Sequence, residues 1–320
     1  MAGFAVYNND HMIRSNVWSN TMKEVLQDDL LGNQFVEFLT DFPDGDTINI
    51  TSIGQAEVND YVEGQAIKYT AMDTGNFQFS VDQYKSSATW ITEKLKQDSF
   101  NMNRVVSQFV PMQARAIAAA MEKRMLAVGP EGQTLAAVNA INGANHRFVG
   151  GGTNEAIAPK DFAKADYALT MANVPMQGRV AIVHPSVGYT LQTQSNLLNF
   201  TSSNQRWNNI ISDGALTGTK FLMNVYGFDV YVSQNLKVNA ASETIGGVTA
   251  ASGVNNLFFS AAPGVLPIVG LIRQAPKVDS EYNKDLQREE YVTTARYGFK
   301  LYRPENMVVV VTDFDSTVIA

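Results

Sequence analysis

Residues 73–82 read DTGNFQFSVD, a turn signal followed by a strict alternation of apolar and polar side chains. The first four residues are typical of a tight turn, because small and polar side chains accept the backbone angles that turns require. Phe77, Phe79 and Val81 then recur at every second position. Successive side chains of a strand point to opposite faces. The stretch therefore predicts a turn that leads into a strand with one apolar face.

The segment before it has the same character, and residues 41 to about 97 together predict a β-rich arm that contains a hairpin. Asp44-Gly45 is a turn signal, and Ile48 and Ile50 then alternate with polar residues. The apolar faces of this segment are thin for its length, and a two-stranded ribbon is only marginally stable alone in water. We therefore expect a β-ribbon that needs a covering partner, followed by returning strands up to about residue 97.

Aromatic residues recur along this segment, and two kinds of partner could explain them. They are Tyr61, Tyr69, Phe77, Phe79, Tyr84 and Trp90. Single-stranded nucleic acid stacks on such side chains, but its backbone also requires a basic groove. Acidic residues outnumber basic ones here, with Glu63 and Asp82 among them. Contact with protein is the favoured interpretation.

Helices are predicted on both sides of the ribbon. Apolar residues from Trp18 to Leu26 recur at helical spacing, and Gly32 is the expected stop. A second, longer helix is predicted over residues 101–128, with Glu122 on its polar stripe. We expect Pro111 to kink this helix or to mark its first turn, and Gly129-Pro130 to end it.

Residues 159–272 alternate between helix and strand patterns and predict an α/β unit. Pro159 and Pro185 each stand where a helix pattern begins, and the apolar run Arg179–His184 lies between them. The other predicted elements are strands at Val225–Ser233 and Leu257–Ser260, an exposed insertion at 237–256, and a glycine-rich crossover at 131–158.

After Arg273 the pattern returns to long strands. Tyr291–Leu301 and Met307–Val311 are rich in β-branched and aromatic residues and are separated by the turn Arg303–Asn306. These strands and the long helix predict a second unit, discontinuous in sequence.

Composition bounds the class of protein. The chain has 320 residues, 45% of them hydrophobic, which suffices for one large domain or two modest ones. The net charge of −7 argues against a surface that binds nucleic acid everywhere. The absence of cysteine excludes disulfides, thiol nucleophiles and thiolate metal sites. Neither a signal peptide nor an unbroken membrane-spanning stretch is visible.

No arrangement of residues predicts catalysis, a cofactor or a metal. His11, His146 and His184 are far apart in sequence and form no metal-binding pair. Asp313 and Asp315 could share a strand face and bind a hard cation, but a solvated chain end explains them better. We therefore expect no enzyme activity and no bound cofactor.

The order of these elements resembles that of tailed-bacteriophage major capsid proteins with the Hong Kong 97-type fold. Similar segments are Tyr61–Ile67 followed by Phe77–Asp82, Gly227–Ser233, Arg296–Lys300 and Arg303–Glu305. The resemblance spans most of residues 15–312.

The resemblance implies an α+β fold in four parts: an N-terminal arm (1–46), an extended β-loop with return strands (47–97), a peripheral domain (98–158 and 273–320, spine helix about 101–128) and an α/β axial domain (159–272). It also implies contacts of the arm and loop with another subunit. The residues predicted for that contact are Trp18, Tyr61, Glu63, Ile67, Lys68, Tyr69, Phe77 and Phe79.

The function implied is that of a structural protein. Hexamers and pentamers would form an icosahedral shell in the virion around double-stranded DNA, with non-specific contact to that DNA, and would assemble in the bacterial cytoplasm. A portal is an expected partner, with a separate scaffolding protein because this chain has no room for a scaffolding segment; a decoration protein is a further possibility. No covalent crosslink is assigned to Lys68 or Lys85. The alternatives are an encapsulin-like cargo compartment, which shares the fold, and a cytoplasmic α/β enzyme.

Overall fold

The computed structural model describes residues 31–39, 47–53, 58–66, 74–98, 102–133, 138–193, 220–239, 242–250 and 253–313. The arm helix predicted around Trp18 lies outside these residues and stays a prediction. Helices and sheets combine in the described part of the chain, which confirms the α+β class.

The elements have the following bounds. In chain order the strands are β1 (Val36–Phe38), β2 (Thr47–Ile53), β3 (Thr74–Ser80), β4 (Gln83–Thr92), β5 (Ala140–Ile141), β6 (Ala144–Asn145), β7 (Arg147–Val149), β8 (Arg179–Val183), β9 (Phe221–Val225), β10 (Phe228–Val232), β11 (Glu243–Ile245), β12 (Val248–Ala250), β13 (Gly253–Ser260), β14 (Ile268–Asn283), β15 (Arg288–Leu301) and β16 (Val308–Asp313). The helices are α1 (Glu93–Asp98), α2 (Met102–Gly132), α3 (Pro159–Met171) and α4 (Pro185–Thr193). The starts predicted at Pro159 and Pro185 are confirmed.

A six-stranded sheet, in the order β7-β16-β13-β8-β10-β9, lies between helices on both faces. Val309 and Val311 share a buried cluster with Met125 of α2. Val308 and Val310 share a different buried cluster with Phe162 of α3. Because successive strand residues point to opposite faces, a run of consecutive valines fills both clusters. This sheet is the core of the molecule.

The composition of this sheet differs from the predicted division of the chain. The boundaries at 158 and 273 assigned β7 and β16 to the unit of the long helix, but β16 pairs with β7 and with β13 of the α/β body. The strands Tyr291–Leu301 and Met307–Val311 therefore belong to different sheets. The physical reason is that four consecutive valines need two apolar faces, and the central sheet has a buried cluster on each of its faces.

A four-stranded sheet has the order β1-β14-β15-β4. Tyr297 and Ala295 of β15 lie in the same buried cluster as Ile117 of α2, so one face of this sheet is covered by the long helix. Its longest pairing joins β14 and β15 antiparallel, from the pair Ile268↔Leu301 to the pair Asn283↔Arg288. The long strands thus begin at Ile268, inside the segment predicted as axial.

Helix α2 continues beyond its predicted end and runs through both Pro111 and Pro130. Gly129 does not cap the helix: a Cβ placed there would lie 3.3 Å from side-chain atoms of Leu257 and Met307. At Gly132 a Cβ would lie 2.6 Å from the Leu301 side chain. Both glycines allow the helix to approach the sheets closely, so the prediction that Gly129-Pro130 ends the helix is wrong.

Part of the segment predicted as an exposed insertion, residues 237–256, is a buried strand that contains polar residues. Strand β13 begins at Gly253, and Asn255 and Asn256 are fully buried. The Asn256 Nδ2 atom donates to Thr312 Oγ1 at 2.8 Å and to the Val310 carbonyl at 3.1 Å. A buried amide such as that of Asn256 is tolerated when its hydrogen bonds are satisfied, so this polar sequence can form a core strand.

Short strands and a tight turn occupy the segment predicted as a glycine-rich crossover. A Cβ on Gly150 would lie 2.5 Å from the Glu155 carbonyl oxygen, so the turn excludes larger residues. The buried Asp161 Oδ2 atom accepts hydrogen bonds from the Gly151 amide at 2.8 Å and the Ala158 amide at 2.9 Å. These contacts fasten the glycine run to the start of α3.

Glu122, predicted on the polar stripe of α2, is buried instead. Its Oε2 atom accepts from the Leu31 amide at 2.8 Å, and its Oε1 atom accepts from Asn235 Nδ2 at 3.1 Å and Ser233 Oγ at 3.4 Å. One carboxylate therefore joins α2 to the segment before β1 and to the loop after β10. Periodicity alone could not distinguish this buried acceptor from a solvated acid.

Removal of the Glu122 acceptor is expected to destabilise the chain. Glu122→Ala leaves the buried Leu31 amide without its acceptor, at a cost of roughly 1–3 kcal/mol, and also removes the acceptor of the half-buried Asn235 side chain. Urea unfolding of the unassembled chain measures the change, with the exposed Glu281→Ala of β14 as control. Equal unfolding free energies for the two variants would contradict this role.

Acidic conditions are expected to destabilise the fold through the buried His146 and the half-buried His184. Burial lowers the pKa of His146, between β6 and β7, and the pKa of His184, at the end of β8, below the ordinary 6.5. The folded state therefore binds protons on these histidines less readily than the unfolded state does. The stability that the two neutral histidines contribute is fully present above about pH 6.5 and is lost as the pH falls below it.

His146→Gln is expected to flatten part of this pH dependence, because glutamine does not titrate. Unfolding free energies at several pH values between about 7 and 5 measure the slope. The lowered pKa of Glu131 affects only more acidic conditions, below its ordinary 4.5. A wild-type free energy that stays constant between pH 7 and 5 would disprove the histidine account.

Candidate assembly interface

The ribbon, defined here as β2, β3 and the residues that connect them, forms a sheet of its own. Strands β2 and β3 pair antiparallel from Thr47↔Ser80 to Ile53↔Thr74, and no other described strand joins them. The predicted hairpin is therefore confirmed. Its period-two alternation gives Phe79 a buried side chain between the exposed Gln78 and Ser80.

The described part of the connection, residues 58–66, is exposed throughout. Val58 is 92% exposed, Tyr61 73% and Val62 54%. Glu63 is exposed beside them. Several exposed apolar side chains close together in sequence are typical of surfaces that are covered by a partner. Of the other predicted contact residues, Trp18, Ile67, Lys68 and Tyr69 lie outside the described residues.

The base of the ribbon is fixed to its own chain. The Phe77 ring meets the Tyr302 ring edge to face at 5.0 Å between centroids. Lys300 Nζ donates to the Gln78 carbonyl at 2.6 Å and lies 4.9 Å from the centroid of the Phe77 ring. These contacts connect β3 to the last residues of β15 and to Tyr302 just after it.

The structure corrects the prediction for Phe79. Its side chain is 1% exposed in the single chain, so it supports the ribbon from the inside and presents no surface to another subunit. Phe77 is half-buried and packs on Tyr302. An alternating strand gives one apolar face, but the sequence does not say whether the covering residues come from the same chain or from another.

Charged groups connect the ribbon base to the rest of the molecule. Asp82, between β3 and β4, lies 3.4 Å from Arg124 of α2, and Arg124 also pairs with Glu131. Glu131 Oε1 accepts from Lys237 Nζ at 3.1 Å, in the loop after β10. Burial alone would raise the pKa of Glu131, but hydrogen bonds from Lys237 and Arg124 lower it overall. All four groups are partly exposed, so each pair contributes modestly to stability.

Sequence reasoning missed the residues that hold the ribbon base. Arg124 and Lys300 carry no motif, and their roles depend on which carbonyl or carboxylate the fold brings near them. Lys300 lies within a segment that resembles the capsid family, yet nothing in the segment predicts its contact with Gln78. Only the pairing of sheets and helix in three dimensions reveals these contacts.

The described residues contain no metal-binding cluster. Across the described ranges, no three His, Asp or Glu side chains are grouped so that they could hold a metal ion. The His184 Nδ1 atom lies 2.9 Å from Ser186 Oγ. Asp313 ends β16, while Asp315 is outside the described residues. Within the same ranges, no helix is both long and apolar enough to cross a bilayer.

Comparison with solved structures identifies the fold. A chain from Mycobacterium phage Che8 has 17% identity and a TM-score of 0.69, over 94% of this chain and 97% of that chain. A chain from the capsid of cyanophage P-SCSP1u has 14% identity and a TM-score of 0.71, over 98% and 96%. A chain from the capsid of Ralstonia phage GP4 has 11% identity and a TM-score of 0.65, over 98% and 99%. The predicted Hong Kong 97-type fold is confirmed.

Comparison of the sequence with family models identifies the family. None of the curated proteins matches it. The family model described as phage capsid protein matches residues 76–310, which is well over half of the chain. The chain therefore belongs to the phage capsid protein family.

Proposed function

We propose that copies of this chain assemble into hexamers and pentamers that close an icosahedral shell around phage double-stranded DNA. The observation that carries this proposal is the ribbon: it is a separate two-stranded sheet whose connection exposes Val58, Tyr61 and Val62. A two-stranded ribbon gains little stability alone, so a neighbouring subunit is its natural cover.

Repetition gives every copy the same cover. In a ring of identical subunits each ribbon can lie on the next subunit, and a closed ring leaves no copy uncovered. The contact residues on the described part of the ribbon are Tyr61 and Glu63, and Trp18, Ile67, Lys68 and Tyr69 are proposed to extend the same contact. Stability then depends on assembly and on subunit concentration.

The role proposed for DNA is enclosure. A net charge of −7 disfavours strong binding of phosphates over the whole surface, so contact with DNA is non-specific and weak. A portal, a separate scaffolding protein and a decoration protein are proposed as further partners, and assembly is proposed to take place in the bacterial cytoplasm. The protein is structural, and we propose that it has no enzymatic activity of its own.

Shortening the ribbon is expected to abolish shells without unfolding the chain. Replacement of the residues between Gly54 and Gly75 by a tight turn removes the exposed connection and leaves both sheets of the body intact. Negative-stain microscopy and gel filtration measure particle formation, and circular dichroism measures folding. Val248→Ser, an exposed apolar position on the β11–β12 hairpin, is the control and should still assemble.

The same experiment separates a shell protein from the other classes. A wild-type chain that elutes only as a small oligomer would contradict the proposal, and so would normal particles from the shortened variant. DNA recovered from particles made during infection would distinguish a virion shell from a cargo compartment.

A further inference from the structure

The four-stranded sheet has two outer edges that differ in character. Beyond its short pairing with β1, strand β14 carries Pro276 and Lys277, and its pairing with β15 shifts register between Ile272 and Lys277. Proline, lysine and bulges on an edge strand are devices that discourage pairing with another strand. This edge is built to remain unpaired.

The opposite edge, formed by β4, lacks these devices. Gln83–Thr92 pairs with β15 in unbroken register from Gln83↔Tyr297 to Thr92↔Arg288. It contains no proline, and Lys85 is its single charged residue. In the part of the chain that the structure describes, no strand pairs with its outer side. A regular ten-residue edge of this kind is an aggregation hazard unless a specific partner covers it.

One face of β4 also carries exposed aromatic side chains. Tyr84 is 66% exposed and Trp90 56% exposed, near the two ends of the strand. Ser86 and Ala88, on the same face between them, are small and exposed. The Arg288 guanidinium lies 5.3 Å from the centre of the Trp90 ring and holds one side of it. The face is therefore bulky at its ends and flat in the middle.

We propose that β4 pairs antiparallel with β4 of a second copy, about a twofold axis at Ser87, so that two four-stranded sheets become continuous. In this register Tyr84 lies opposite Trp90 of the second copy, and Ser86 lies opposite its Ala88. Cross-strand aromatic pairs are among the stabilising pairs of antiparallel sheets. Lys85 lies opposite Thr89, so no like charges meet.

The alternation of side chains restricts this register. Directly opposed residues share a face, so a shift by one residue would place α2 of the two copies on opposite faces of the joined sheet. A shell has one inner and one outer surface, which requires α2 on the same face in both copies. The inference rests on the proposed function, because the second copy is supplied by the shell.

Cysteine pairs test this register directly, because the natural chain contains no cysteine. The double variant Ser86→Cys/Ala88→Cys brings each new thiol opposite a thiol of the second copy. Oxidation by diamide, which takes up the two hydrogens of a thiol pair, should convert most chains in assembled particles to dimers on a non-reducing gel. The matched control Val278→Cys/Ser280→Cys lies on the exposed β14 edge and should stay monomeric.

A charge placed at the centre of the pairing provides a second test. Ala88→Lys adds a positive charge near its own copy across the axis, and particle yield should fall about tenfold or more. Ser280→Lys on β14 should assemble normally, and both variants should melt like the wild type as unassembled chains.

The outcomes separate this inference from the proposed function. Particles of the cysteine variant without dimers, or with as many dimers as the control, would overturn the β4 pairing while leaving the shell intact. Normal yield from Ala88→Lys would do the same. Failure of the wild type to form any particle would instead overturn the proposed function.

Discussion

A two-stranded ribbon has two faces and two edges, and among the described residues the contacts that cover this ribbon are made at its base. Phe79 is buried and Phe77 packs on Tyr302, but Val58 and Tyr61 remain exposed in the connection. Apolar surface of this kind is favourable only when another surface removes it from water. The other features of the molecule either fix the base of the ribbon to the body or form surfaces at which neighbouring copies are proposed to meet.

The base of the ribbon is attached to a well-packed core. The central sheet is buried between α2 on one face and α3 and α4 on the other, with the valines of β16 filling both clusters. Helix α2 also covers the four-stranded sheet, and Arg124 extends from it to Asp82 at the ribbon base. Glu122 on the same helix binds the segment before β1. Helix α2 thus connects the core with the ribbon base and with the segment that precedes β1.

Much of this architecture could be predicted from the sequence where local chemistry determines it. The alternation around Phe77, the helix starts at Pro159 and Pro185 and the existence of a long helix are local properties, and the order of elements sufficed for the family resemblance. What could not be predicted depends on tertiary partners. The burial of Glu122 depends on the Leu31 amide, the sheet of β16 depends on two facing helices, and the position of Phe79 depends on a covering layer from its own chain. Gly129 was misread because a glycine that permits close packing has the same sequence signal as a helix stop.

Amide hydrogen exchange in assembled particles and in unassembled subunits tests the central claim most directly. If neighbouring copies cover the ribbon, amides of residues 58–66 exchange rapidly in subunits and become protected in particles, while amides of β13 and β16 are protected in both states. Equally rapid exchange of residues 58–66 in both states would show that the ribbon stays uncovered in the shell, and would contradict the account.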